Sequence, residues 1–120
     1  MDEKILLRFP LKNDYLTTVR LTTGGMCSLV GIDVETSEDC KVCVTESLLL
    51  LKRSGYTAAE IAFSCGEGLR VDIAGKDKSG APAPSEEDEI SCVLLGALVD
   101  NLNMEHDGGV ISALSFGFGI

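Results

Sequence analysis

Between Ala59 and Ile73 the chain carries the same alternation twice. Ala59, Ile61, Phe63 and Cys65 alternate with Glu60, Ala62 and Ser64, and Leu69, Val71 and Ile73 alternate with Arg70 and Asp72. Glu67-Gly68 separates the two runs. Side chains in a strand point to opposite faces, so a period of two marks a half-buried strand, and two such runs about a turn predict a β-hairpin. One face of that hairpin is apolar and needs a second layer to cover it.

The remaining segments supply that layer. Lys4 to Phe9 has the length and apolar content of a strand, and Pro10 stops it. Asn13 or Asp14 can cap a helix running through Leu16, Val19 and Arg20 towards Leu29, weakened in its middle by Gly24-Gly25 at about 1 kcal/mol per glycine. Residues 31–35 read as a connector. Thr36 and Ser37 are expected to cap the next helix, with Glu38 and Asp39 at the positive end of its dipole. That helix, Cys40 to Tyr56, carries Glu46 on an otherwise apolar side with Leu50 one turn later, and Ser54-Gly55 closes it.

After the hairpin, Lys76 to Ser85 is a polar loop rich in Pro, Gly and Ser, a mobile segment or lid. Glu86 to Leu102 opens on a run of acids and continues with Ile90, Val93, Leu94, Leu98 and Leu102, predicting a helix. A second hairpin, Asn103–His106 with Val110–Phe118, turns at Asp107-Gly108-Gly109. The order β-α-α-β-β-α-β-β predicts an α+β fold: a two-layer sandwich of a mixed, mostly antiparallel sheet with helices on one face.

The length of 120 residues suits one domain, 1–120, burying roughly two-thirds of its unfolded surface. A net charge of −9 argues against nucleic acid and for a basic protein partner. There is no charged-then-apolar leader and no apolar run near 18 residues, so neither export nor membrane spanning is expected. Five cysteines (Cys27, Cys40, Cys43, Cys65 and Cys92) form an odd set, read as reduced thiols of a cytoplasmic protein. Cys40-x-x-Cys43 has no second pair, and the single histidine is His106, so the two thiols are read as core filling and no metal is expected. The KDK run at Lys76 to Lys78 is read as a solvated loop, and His106 as flanking a turn.

The segment Cys40 to Tyr56 resembles the N-box helix of the anti-sigma-factor serine kinases, members of the GHKL ATPase superfamily with a histidine-kinase-like (Bergerat) fold. In that family the helix reads E-A-x-x-N-A; the Glu is the general base and the Asn holds the magnesium of ATP. Glu46 matches the first, and Leu50 stands at the second. Phe9-Pro10 followed by a helix with Arg20 is similar to the family's start, where the arginine lies on the partner-docking surface. Residues 97–101 (ALVDN) resemble its last helix, and 108–111 (GGVI) its G-G-T-x box. The element order matches over the whole chain.

The nucleotide motifs depart from the family. Its D-x-G-x-G box should follow Leu69 to Ile73, where the chain reads Gly75-Lys76-Asp77-Lys78-Ser79, with Gly75 in place of the adenine-binding Asp. A two-residue slip puts Asp77 there but loses both glycines. The phosphate-cradling glycine box should open the last helix, which begins Ser85-Glu86-Glu87-Asp88-Glu89. A carboxylate about 4 Å from a phosphate charge costs roughly 4 kcal/mol at an effective dielectric of about 20. Leu50 offers magnesium no oxygen.

The resemblance with these departures implies a regulatory protein that binds a sigma factor or a STAS-domain antagonist through the surface around Arg20, as a possible homodimer, with no cofactor. ATP binding and kinase activity are expected to be lost, leaving Glu46 vestigial. The alternative is an active ATP-dependent serine kinase with a divergent pocket, using Glu46 as base, Asp77 or Gly75 at the adenine, and ATP with magnesium. A scaffold that has lost both activities is a third reading.

Overall fold

The structure is a computed structural model that describes residues 3–83 and 85–119. Its elements run β1 (Glu3–Pro10), α1 (Asn13–Leu29), α2 (Val34–Arg53), β2 (Tyr56–Gly66), β3 (Gly68–Lys78), α3 (Glu86–Leu98), β4 (Asp100–Asp107) and β5 (Val110–Phe118). The five strands form one sheet in the order β1-β2-β3-β5-β4, and every pairing is antiparallel. The fold is the α+β sandwich that the element order predicts.

The register follows the alternation. Ile61 pairs with Ile73 and Phe63 with Val71, while Leu114 and Phe116 of β5 stand opposite Ile73 and Val71. All six are buried, and they form the apolar face on which the helices rest. The opposite face carries Glu60, Arg70, Asp72, Asn103, Glu105 and Ser115 around a shallow trough of about 360 Å³. Helix α2 is the centre of the second layer, burying Cys40, Cys43, Val44, Ser47, Leu48, Leu50 and Leu51, with α1 and α3 packed along it. Both thiols of Cys40-x-x-Cys43 fill that core. Among the described residues no group of three or more metal-ligating side chains converges, and no helix is long and apolar enough to cross a membrane.

Several boundaries differ from the sequence reading. Helix α1 starts at Asn13 itself, with Lys12 before it and no side-chain cap, so Asp14 serves the helix dipole from the first turn. It passes through Gly24-Gly25 unbroken, and the end of the Lys41 side chain of α2 lies over Gly24, where a Cβ would come within 2.8 Å of its Cε. Helix α2 begins about a turn before Thr36 and Ser37, because Asp33 accepts a hydrogen bond from the Thr36 amide at 2.8 Å and caps first. It ends where expected. Gly55 takes φ +98°, and a Cβ there would lie 2.4 Å from the Gly80 carbonyl oxygen.

The polar loop is shorter than its composition suggests, since β3 keeps pairing to Tyr56↔Lys78. Residues 76–78 are therefore strand, at an end where polar side chains meet water. The short segment after Lys78 is stitched to the end of α2: Gly80 N–H donates to Gly55 O at 2.9 Å and Ala83 N–H to Arg53 O at 2.7 Å. Helix α3 stops at Leu98, and from Asp100 to Leu102 the expected last turn is strand; of the segment 97–101 that resembles a helix, Ala97 and Leu98 are helical and Asp100 and Asn101 are strand. Asp100 and Asn103 pair with Gly117 and Ser115, and Asn101 takes φ +55° in the irregular stretch between them. Edge pairing with β5 outweighs the weak helical preference of Asp and Asn there.

Candidate functional site

The charged side chains that meet inside the helical layer lie where α2 faces α3. Glu46, Leu50 and Arg53 project from one side of α2, at spacings that place them on a common face. Ser91 on α3 is 2% exposed, and its hydroxyl donates to Glu46 Oε2 at 2.7 Å. Arg53 donates from Nη2 to Ser91 Oγ at 3.4 Å, from Nε to Asp88 Oδ1, and pairs through Nη1 with Glu87 Oε2 at 3.6 Å. One guanidinium thus ties three residues of the first turns of α3 to the end of α2, and Ser91 passes the chain on to Glu46. Charge-assisted bonds from a planar fork to carboxylates are the stronger kind, and this one is sheltered, with the Arg53 side chain 18% exposed.

The amino end of α3 is also closed on itself. Ser85 Oγ accepts from the Glu87 amide at 3.2 Å, and the Ser85 amide donates to Asp88 Oδ2 at 3.4 Å, a capping box. The free amides that make a helix start an anion site are in part already used. Beside this end, Leu50, Arg53, Ser54, Pro82, Asp88 and the β4–β5 hairpin enclose a cavity of about 160 Å³. Pockets for drug-sized ligands measure roughly 300–1,000 Å³. Leu50, 2% exposed, forms part of its wall as hydrocarbon.

The two residues at the end of β3 do not reach this cavity. Gly75 lies under the ring of Tyr56, where a Cβ would come within 2.5 Å of the ring carbons. Asp77 adopts φ 56°, and its carboxylate pairs with Arg8 at 3.3 Å, both side chains being largely exposed. Arg8 is registered opposite Glu60, on the face of the sheet away from the helices. Lys78 Nζ sits 5.8 Å from the centre of the Tyr56 ring. Among the site residues read from sequence, the structure therefore groups Glu46 with Leu50 and separates both from Asp77 and Gly75. Arg20 is exposed on α1 beside Leu21, which is 71% exposed, and it makes no ion pair among the described residues.

Sequence reasoning does not single out Arg53, and it places Glu89-Ile90-Ser91 where the glycine box would stand without pairing Ser91 with Glu46. Charge offers the signal that would have found Arg53, a base in the last turn of α2 matched to four consecutive acids at the start of α3. His106, read only as flanking a turn, also lines the cavity. Burial pushes the Cys43 thiol up to about 12, with Asp39 and Glu46 adding to the effect.

No family model matches the chain. It is similar to the serine-protein kinase RsbW of Bacillus cereus and to that of Bacillus anthracis, each 24% identical over 129 residues, covering 90% of this chain and 81% of the relative. The RsbW of Bacillus thuringiensis is 25% identical over the same extent. The chain is a distant homologue of the RsbW serine-protein kinases.

A magnesium ion requires oxygen ligands in octahedral geometry. Position 50 provides a buried isobutyl group, the start of α3 presents carboxylates and a closed capping box, and the acid near the end of β3 is engaged by Arg8. These residues do not match the requirements of Mg-ATP. Glu46 itself is held by a buried serine, and a general base needs a substrate proton within hydrogen-bond reach.

Proposed function

We propose that this protein is a regulatory binding protein, an anti-sigma factor that works without nucleotide and has lost kinase activity. The homology to RsbW supports the regulatory lineage, and the observation that carries the loss of chemistry is the Arg53 bridge. A guanidinium bound to Asp88, Glu87 and Ser91 fastens the end of α2 to the start of α3, beside a small cavity walled by Leu50. Opening a nucleotide-sized pocket there would require breaking that bridge and taking the guanidinium away from Asp88.

The partner is a sigma factor or a STAS-domain antagonist, docked on the outer face of α1 around Arg20 and the exposed Leu21. A homodimer through the same region is part of this reading. The net charge of −9 favours a basic partner surface and speeds encounter with it. Retention of Glu46 is the observation that favours the alternative, an active serine kinase with a divergent pocket.

The test is co-purification of the full chain from its native cell in nucleotide-free buffer, compared with Arg20→Glu. The reading expects a sigma factor or STAS protein to be retained without ATP and lost from the variant. Retention that depends on added Mg-ATP, or a partner that is phosphorylated by the purified chain, would establish the kinase instead.

A further inference from the structure

Helix α3 turns an apolar stripe to solvent that none of the other described residues covers. Of its thirteen residues only Ser91 and Leu95 are buried, both on the side that faces the body of the protein. On the other side Ile90 is 67% exposed and Val93 73%, and with Leu94 and Ala97 they line one continuous apolar surface. Residues 86, 90, 93 and 97 recur at the three- and four-residue intervals of a single helical face. Solvating Ile90 and Val93 side by side on a thirteen-residue helix gains nothing for folding, and contiguous exposed apolar surface of this kind marks interaction sites. A Cβ at Gly96 would meet nothing within 4 Å, so the carboxyl end of the stripe is open to close approach.

Charge decides what can lie there. Four acids begin α3; Arg53 pairs with Glu87 and Asp88, and Glu86 and Glu89 remain exposed beside Ile90. The last turn of α3 contains no basic residue, and the exposed Asp100 follows it. The stripe is therefore apolar along its length and negative at its amino end, and an acid, Asp100, follows its carboxyl end in the chain. A second copy of α3 laid antiparallel would bring Glu86 and Glu89 against Asp100, and a parallel copy would bring acid against acid. An anionic lipid surface is repelled in the same way. The complement is a helix with an apolar stripe and Lys or Arg at its ends. Run antiparallel, its carboxyl-terminal turn, where basic residues are favoured, would meet Glu86 and Glu89.

We propose that the outer face of α3, Ile90, Val93 and Ala97 flanked by Glu86 and Glu89, is a second docking surface, which takes a basic amphipathic helix of a different protein. It is independent of the reading above, because it uses neither Arg20 nor the region around Leu50.

The experiment places a photoreactive residue at Val93 of the full chain in its native cell and maps the cross-linked peptide by mass spectrometry. Because Val93 is exposed, the label leaves the fold in place, and circular dichroism checks this. The expected product joins position 93 to a segment of another protein with apolar residues at helical spacing and flanking Lys or Arg. Reversing the charges (Glu86→Lys with Glu89→Lys) should lower its yield at least five-fold, while Arg20→Glu leaves the yield unchanged. Cross-linking to a second copy, to lipid or to an acidic segment, no cross-link, or a yield unaffected by charge reversal would overturn the proposal.

Discussion

Leu50→Asn installs the residue type carried by the magnesium-binding helix that Cys40 to Tyr56 resembles, and it sets two consequences of the structure against each other. Leu50 is 2% exposed, so its replacement forfeits about 1.5–3 kcal/mol of apolar burial. The new amide adds a desolvation cost of about 1–3 kcal/mol if unpaired. It lies at the low end here, because the adjoining cavity of about 160 Å³ is bordered by Ser54, Asp88 and His106. Asparagine is also the poorer helix former, by a few tenths of a kcal/mol. The sum is about 3–4 kcal/mol, set against total stabilities of roughly 5–15 kcal/mol. With a urea slope of about 1.5–2 kcal/mol/M for a chain of this size, the unfolding midpoint should fall by about 2 M. Leu50→Met, which conserves volume, should cost less than about 1.5 kcal/mol. Mg-ATP should not recover the lost stability, because the Arg53 bridge and the capped start of α3 are unchanged. A loss below about 1 kcal/mol, or a dose-dependent stabilisation of Leu50→Asn by Mg-ATP, would refute this reasoning.

Arg53→Met removes the bridge while keeping much of the stem. Its partners are partly sheltered (Arg53 18% and Asp88 29% exposed), so the cost lies between a surface pair and a buried one, at about 2 kcal/mol by urea denaturation. A cycle with Asp88→Asn should show coupling of about 1 kcal/mol or more, whereas strict additivity would mean the two groups do not interact. The Cys43 thiol, raised from 9.0 to about 12 by burial, keeps its proton in the folded state while the unfolded chain releases it. That contribution is complete below pH 9 and is lost as the pH rises from 9 towards 12, by at most about 1.4 kcal/mol per unit. Denaturation at about pH 8.5 and about pH 10.5 should show a smaller loss for Cys43→Ala than for the parent chain.

Much of the fold was legible because it is written in apolar periodicity. The β2–β3 alternation, the turn at Glu67-Gly68 and the stop at Gly55 survive into the structure, since each rests on local geometry that nothing opposes. The boundaries that moved did so where tertiary pairing outweighed composition. Lys76 to Lys78 looks like loop but pairs with Tyr56–Ala58, and Asp100 to Leu102 continues a helical pattern but is claimed by the edge of the sheet. At the candidate site the sequence located Glu46 and Leu50, whose relation is fixed by one helix. It could not reveal that Ser91, 45 residues away, would donate to Glu46, nor that Arg53 would bind the acids of α3. The surroundings of Asp77 were illegible for a related reason: its positive φ and its contact with Arg8 depend on where β1 lies in the sheet.

The central claim is that the space between α2, the start of α3 and the β4–β5 hairpin no longer accepts nucleotide. Calorimetric titration of the purified chain with Mg-ATP and Mg-ADP to millimolar concentration, with melting curves on the same samples, tests it most directly. The account expects no saturable heat and no change in Tm beyond about 1 °C. Saturable binding with a melting shift of several degrees, as about 2.7 kcal/mol of ligand stabilisation at roughly 100 times Kd would produce, would contradict it.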